Sequence, residues 1–493
     1  MSSLVFLALL ALGSTVSHAA SILQTRDTLV DCLNSSLSSH GSVRVSGDAV
    51  FTSDTIRFSS AFAPGFRVVA EVANEHDVRA SITCAKRTST PFLFTGPRHG
   101  FYEGFGKLQN ALEIYTGAFW HVDIDAPSNT MTTGGAAVFK NVSGALQAVG
   151  KNIPVGGGPC VGMVGATLGA GIGRLQGLYG LIADSLLSVR LMLPDTTVLE
   201  VSKKSNPELF WGLRGAGFNF GYVLNATYRV YDAPAHGTNL NADFEYPLNS
   251  TRAFYQALHD NKMPAPLCLS TSVGFSAVQN ATTLRINAVY AGPEAEGRKA
   301  VAFLQRIPLI RQNLTQIPWN TIPENSFFSL GNQRINTCGI NAGKRVVRGV
   351  AFNKIDVNTH VKMTHQLDYM VNTYPQMRAS SNAMYFCATQ AVANKSKDET
   401  AYPWRQAIGH HTWGIVYGDA NTTDADIENI PKKMRDTIAA SAGTAYLNTY
   451  IGFSDGDEPA KSIWSAEHLP RLAKLKKRYD PDGLFSHYHP IPV

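Results

Sequence analysis

Apolar residues in this chain change rhythm near residue 236. Before that point, short β-branched runs alternate with stretches of helical spacing. FRVVAEV at 66–72 reads as a strand, and Asn74 then caps a helix to about Arg87, with Val78 and Ile82 four apart on one face. PFLFTG at 91–96 predicts a second strand ending in a glycine turn. Further strands are predicted at 111–115, 130–133 and 220–231. The run SLLSVRLMLPDTTVLEV at 185–201 predicts two strands joined by the Pro194-Asp195 turn.

Beyond residue 236 the strands lengthen and alternate with polar residues, as in 269–278 and 284–290. Amphipathic helices interleave with them. Ala300, Phe303, Leu304 and Ile307 follow helical spacing, and so do Met363, Leu367, Met370 and Val371. This pattern predicts an antiparallel sheet with helices on one face and the other face left to roof a pocket. The last thirty or so residues predict a basic helix stopped at Asp480-Pro481 and an irregular tail. The expected fold class is α+β with two domains. One spans 20–235 and is completed by 450–493; a substrate-binding domain spans 236–449.

Composition narrows the classes. The chain has 493 residues, 44% apolar and 16% charged, which is a globular composition. Its net charge of +6 comes from scattered Lys and Arg without interleaved aromatics, so no nucleic-acid partner is expected. Residues 1–19 read as a secretory signal with a short apolar core and small residues before the cleavage point. No later apolar run is long enough to span a membrane. Secretion also suits the six cysteines, none in a CxxC pair, so no metal site is expected. Glycosylation sequons stand at Asn34, Asn141, Asn225, Asn249, Asn280, Asn313, Asn394 and Asn421.

The strongest chemical signal is GGGPCVGMVGATLGAGIGRLQGLYGLIAD at 156–184. Without Cβ atoms in the way, backbone N–H groups form a concave nest for a pyrophosphate. It is not the G-x-G-x-x-G dinucleotide fingerprint. Cys160 lies inside the loop, where clustered N–H groups favour a thiolate. His99 lies in a second tight turn, FTGPRHGFYEG at 94–104. Buried or disulfide-bonded roles for Cys160, and an exposed role for His99, stay open on the residues alone.

Three motifs, in order, carry a resemblance: PCVGMVGATLGAGIGRLQGLYGLIADSLLSVRLMLPD at 159–195, NPELFWGLRGAGFNFGYV at 206–223 and RLAKLKKRYDPDGLFSHYHPI at 471–491. Together they resemble the berberine-bridge-enzyme-like flavoproteins of the vanillyl-alcohol-oxidase (PCMH-type FAD-binding) fold. The likeness is greatest to fungal oligosaccharide and secondary-metabolite oxidases. It implies FAD bonded through His99 and Cys160, with Gly96, Arg98, Gly100, Gly162, Gly165, Gly169, Gly171 and Gly173 around the cofactor. It also implies that the backbone at Asn219, Phe220 and Gly221 approaches the flavin, and that Cys32 and Cys84 form a disulfide.

This chain departs from the family at two places. Pro97 and Arg98 replace glycines before the histidine, and Arg98 is expected to pair with an FAD phosphate. The family's Tyr-x-Asn-Tyr strand corresponds either to Tyr450-Ile451-Gly452-Phe453 or to Tyr446-x-Asn448-x-Tyr450. Tyr450 is the first candidate for the proton acceptor, with Tyr385 and His411 as others. The implied activity is oxidation of a small organic molecule with O₂ as acceptor. Phe352, Met384 and Tyr385 favour a secondary metabolite. The alternatives are an oligosaccharide oxidase, or a non-redox isomerase or cyclase on the same fold.

Overall fold

A computed structural model describes residues 28–330, 343–417 and 425–493; the expected signal at 1–19 and the sequon at Asn421 lie outside the described residues. Strands β1 (Ser42–Val45), β2 (Gly65–Glu71), β3 (Phe92–Thr95) and β4 (Gln109–Tyr115) form a sheet in the order β1-β2-β4-β3. Its β2, β4 and β3 are parallel. The crossover from β2 to β3 is the helix Glu75–Arg87, whose first turn is capped by Asn74 accepting the Asp77 N–H at 3.1 Å. Val78 and Ile82 are buried against β2 and β4.

A second sheet holds β5 (Val122–Asp125), β6 (Thr130–Gly134), β8 (Leu186–Met192), β9 (Val198–Ser202) and β10 (Tyr222–Arg229), ordered β5-β6-β10-β8-β9. A short pair, β7 (Lys151–Asn152) with β11 (Tyr231–Asp232), lies beside it. The glycine-rich loop connects β7 to β8 and packs its apolar side into the core of this sheet.

The third sheet holds β12 (Thr238–Pro247), β13 (Leu267–Ser276), β14 (Ala281–Tyr290), β15 (Arg311–Pro318), β16 (Arg345–Phe352), β17 (Ser381–Cys387) and β18 (Gly409–Val416). All its pairings are antiparallel, in the order β15-β12-β14-β13-β17-β18-β16. Helices including Glu294–Gln305 and Val357–Thr373 cover one face, and Leu304, Met363, Leu367 and Met370 fill that core. Along β12, Leu240, Ala242, Phe244 and Tyr246 join this core, while the alternating Asn241, Asp243 and Glu245 are buried as well. The polar face is therefore covered too, because it meets the rest of the molecule rather than water.

The C-terminal tail returns to the first half. In the helix Ala460–Tyr479, the buried Lys476 Nζ donates to the carbonyls of Asn219 (2.9 Å) and Phe485 (3.1 Å) and to Asp480 (2.6 Å). Asn219 Nδ2 donates to the His489 carbonyl at 3.1 Å, and its Oδ1 accepts the Ile491 N–H at 3.0 Å. No helix of the described residues is long and apolar enough to cross a membrane.

The Cys32–Cys84 disulfide joins the helices Thr28–Ser36 and Glu75–Arg87, with Cα atoms 5.8 Å apart. A second disulfide, Cys268–Cys387, bridges directly opposed residues of β13 and β17, a pairing the sequence left unassigned. Because the Cys32–Cys84 link spans 52 residues, replacing both cysteines by serine is expected to lower stability by roughly 2–4 kcal/mol in denaturant unfolding. An unchanged midpoint would show that the link constrains nothing.

Candidate functional site

The two sheets of the first half, the glycine loop, the polar face of the third sheet and the C-terminal tail enclose one cavity of about 1070 Å³. Its walls differ in character. The loop side presents Gly162, Gly165, Gly169 and Gly173 with Phe58, Phe101 and Phe105. The sheet side presents Ser270, Ser272, Arg285, Tyr385 and Thr412. A Cβ on Gly165 meets nothing within 4 Å, so its backbone faces open cavity, as close approach of a cofactor requires. Gly171 does not line the cavity: its φ is +78°, and a Cβ there would lie 2.6 Å from Ile182. Its glycine serves a turn packed on the core.

His99 and Cys160 both line this cavity. The His99 ring stacks on Phe58 at 5.2 Å, and its Nδ1–H donates to the Pro97 carbonyl at 2.8 Å, which sets the ring's orientation. Cys160 is buried and engaged in a disulfide. Gly96, Gly100 and Gly221 also line the cavity. Asn219 and Phe220 do not; both are fully buried behind it, Asn219 because its amide is committed to the C-terminal tail.

Arg98 lines the cavity, and its Nη2 is buried without a hydrogen-bond partner, while the rest of its guanidinium is held by the protein. It adopts φ +59°, and its Nε donates to Glu113 Oε1 at 2.8 Å, while the guanidinium lies 4.0 Å over the Tyr115 ring. Glu113 Oε1 also accepts the Thr95 hydroxyl at 2.5 Å. A side chain at a left-handed position is costly, and this buried ion pair offsets the cost. A second cation on this side is Arg57, which the sequence did not single out. It is buried over Phe105, its Nη1 has no hydrogen-bond partner, and burial pushes its pKa down to about 10. A buried guanidinium without a partner beside a glycine cradle fits an anionic or carbonyl oxygen of a bound flavin dinucleotide.

Tyr450 lines the cavity, but it precedes the short 3₁₀ turn Ile451–Phe453 rather than lying in a strand. Its ring meets Phe453 edge-on at 5.0 Å, and Phe453 stacks on Tyr385 at 5.4 Å. Burial pushes the Tyr450 phenol well above its ordinary value. His411 points away from the cavity, against Phe352 and His360 under the covering helices. Phe352 and Met384 are in that helix-side core as well, so of the three residues taken to favour an apolar substrate only Tyr385 reaches the cavity. The alternation of β16, β17 and β18 decides this, because neighbouring residues face opposite sides.

Among the sequons, Asn34, Asn141, Asn249, Asn280, Asn313 and Asn394 are exposed. Asn225 is half-buried in β10, between β6 and β8.

Residues 66–202 match the family described as FAD binding domain, and residues 449–492 match the one described as berberine and berberine like. The FAD-linked oxidoreductase srdI of Neurospora crassa is 32% identical over 100% of this chain and 99% of its own length. Among solved structures, a chitooligosaccharide oxidase aligns with TM-score 0.81 at 20% identity, over 94% of this chain and 99% of that one. A glucooligosaccharide oxidase from Acremonium strictum, whose FAD is 6-S-cysteinyl and 8α-N1-histidyl, aligns with TM-score 0.81 at 19% identity over 94% and 99%. These structural likenesses are likenesses of fold.

The Arg98–Glu113 pair is testable by stability. Glu113→Gln leaves a buried guanidinium without its counter-charge and is expected to cost roughly 3–5 kcal/mol in urea unfolding. Combining it with Arg98→Gly should recover much of that loss, since the left-handed position then carries glycine. Additive losses in the double variant would refute the pairing.

Proposed function

The chain belongs to the FAD-linked oxidoreductases, and from that membership we propose that it is a secreted oxidase of a small organic molecule, with FAD bonded through His99 and Cys160 and O₂ as electron acceptor. The observation that carries this reading is that His99 and Cys160, far apart in sequence, line one cavity walled by the glycine loop. Disulfides on both halves of the chain support an oxidising compartment. We also take 20–235 with 450–493 as the FAD-binding unit and 236–449 as the substrate unit, a division supported by the stitching of the tail to Asn219.

When bound, FAD would supply the capacity to accept a hydride, which carries two electrons, and to pass those electrons on. The chain's own residues do the rest. The glycine loop admits the cofactor's backbone-contacting parts, and Arg57 offers Nη1 to its oxygens. Phe58 and the Pro97 carbonyl hold the His99 ring in place. To bond the cofactor, Cys160 would have to stand as a thiol rather than in its disulfide, released by exchange with an external thiol that takes up the partner sulfur. Tyr450 is the group that takes up the substrate proton as hydride leaves. The polar sheet wall of Ser270, Ser272 and Thr412 supports an oxygen-rich substrate, and for that reason an oligosaccharide oxidase is the second reading.

Acid precipitation tests the cofactor bond. The wild-type pellet should be yellow, each of His99→Ala and Cys160→Ala should keep flavin in the pellet, and the double variant should release it all. A colourless wild-type pellet sinks covalent attachment. Peroxide release with oxygen uptake tests the acceptor.

Tyr450 makes a pH prediction. Because its phenol is held above its usual value, the ionised fraction at neutral pH is small and grows with pH. Turnover should climb through the alkaline range, and Tyr450→Phe should abolish that climb while lowering kcat by about 10²–10⁴-fold. A pH profile unaltered in Tyr450→Phe excludes Tyr450 as the proton acceptor.

A further inference from the structure

Arg174 is the one charged residue between Lys151 and Asp184, set within the glycine-rich, apolar run of the loop. Its residue is 8% exposed, and the side chain lines the cavity. Nη1 is buried without a hydrogen-bond partner, and among the described residues no carboxylate lies within ion-pairing distance of the guanidinium. The nearest anionic group on the facing sheet, Asp243, is already committed. Its Oδ1 accepts from Asn287 Nδ2 (2.7 Å) and the Phe327 N–H (2.8 Å), and its Oδ2 accepts the Phe328 N–H at 2.7 Å. Those bonds hold Phe327 and Phe328 in left-handed conformations, with φ +55° and +60°. Asp243 is therefore a turn anchor that acts on Arg174 only through space.

An isolated buried cation is expensive, so a chain keeps one where a ligand supplies the counter-charge. Arg174 stands apart from Arg57, with its Nη2 3.9 Å from where a Cβ on Gly157 of the loop would lie. Arg57 lies against Gly100, Phe105 and Tyr488, beside the histidine turn. Arg174 instead lies within electrostatic reach of Tyr385 and Asp243 of the third sheet, and a small recess beyond it is walled by Trp319, Pro323 and Glu324, whose carboxylate makes no ion pair with it. Burial pushes its pKa down to about 10, which still leaves it fully charged at neutral pH.

We propose that Arg174 is the anion-binding group of the substrate region, and that the substrate carries a carboxylate or an enol ionised at neutral pH, held by the guanidinium fork. The proposal rests on the reading of this cavity as that of a small-molecule oxidase and names its substrate class. Ser270, Ser272 and Tyr385 across the cavity supply neutral polar contacts to the remainder of such a molecule.

Calorimetric titration of the holoenzyme with benzoate, and with benzamide as its neutral isostere, tests the proposal. Wild type should bind benzoate at least about tenfold more tightly, the difference expected for a charge-assisted pair in a desolvated site. Arg174→Met should bind the two alike, with flavin content unchanged. Arg174→Lys keeps the charge without the fork and should show an intermediate preference. A wild type that does not prefer benzoate, or an Arg174→Met variant that keeps the preference, overturns the proposal. Loss of flavin from Arg174→Met overturns it as well, by assigning the guanidinium to the cofactor. Heat of binding is read without turnover, so failure here is distinct from failure of the oxidase reading, which the pellet colour and oxygen uptake report.

Discussion

A buried ion pair between Asp184 and Arg405 ties the end of the glycine loop to the half that carries the third sheet. The guanidinium grips the carboxylate through two bonds, of 3.0 and 2.9 Å, with both side chains 1% exposed. Charges taken this far from water are tolerated only as a complete, hydrogen-bonded set. Asp184 Oδ2 also accepts the Leu181 N–H at 2.9 Å, and Arg405 Nη2 donates to Thr400 at 2.9 Å. The loop's exit and the segment around 400–405 therefore hold each other's charges, with the Arg405 Nε left without a hydrogen bond. Neighbouring bonds run the same way: Trp211 Nε1 donates to the Asp398 carbonyl at 3.0 Å, and Arg214 Nη2 donates to the Glu399 carbonyl at 2.8 Å. With that joint made, the polar face of the third sheet stands opposite the loop and the cavity exists.

The cavity divides its chemistry by wall. Glycines and aromatic rings on one side suit a flat, phosphate-bearing cofactor, because backbone N–H groups and π-faces are offered with few side chains in between. Hydroxyls and guanidinium groups on the other suit a polar substrate. Tyr450 and Phe453 lie where the walls meet, on a segment held by ion pairs below it. Arg348 bonds Asp457 at 2.6 Å and Asp455 at 3.2 Å, and Arg435 bonds Asp457 and Glu458. Those arginines compensate the acidic cluster Asp455, Asp457 and Glu458, so it reads as an anchor for the Tyr450 segment.

The histidine turn shows how a local departure is absorbed. Arg98 at a left-handed φ would be poor chemistry in water, yet Glu113, fully buried on β4, and the Tyr115 face receive it. Arg57, from a different segment, adds a second cation to this wall of the cavity.

By itself the sequence determined the class of fold, the crossover helix capped by Asn74 and the glycine loop, because backbone freedom and hydrophobic period are local properties; the resemblance of its motifs singled out His99 and Cys160, and both line the cavity. It also determined, through the likeness of its motifs, the Cys32–Cys84 link. Only the tertiary structure decided that Phe352, Met384 and His411 face the helices while Tyr385 and Thr412 face the cavity, since a strand's two faces are equivalent until the sheet packs. It decided as well that Asn219 serves the tail, that Arg98 bonds Glu113, and that among the described residues the Nη1 atoms of Arg57 and Arg174 have no hydrogen-bond partner. A charged side chain's role depends on what lies within a few ångströms of it, and those neighbours come from distant parts of the chain.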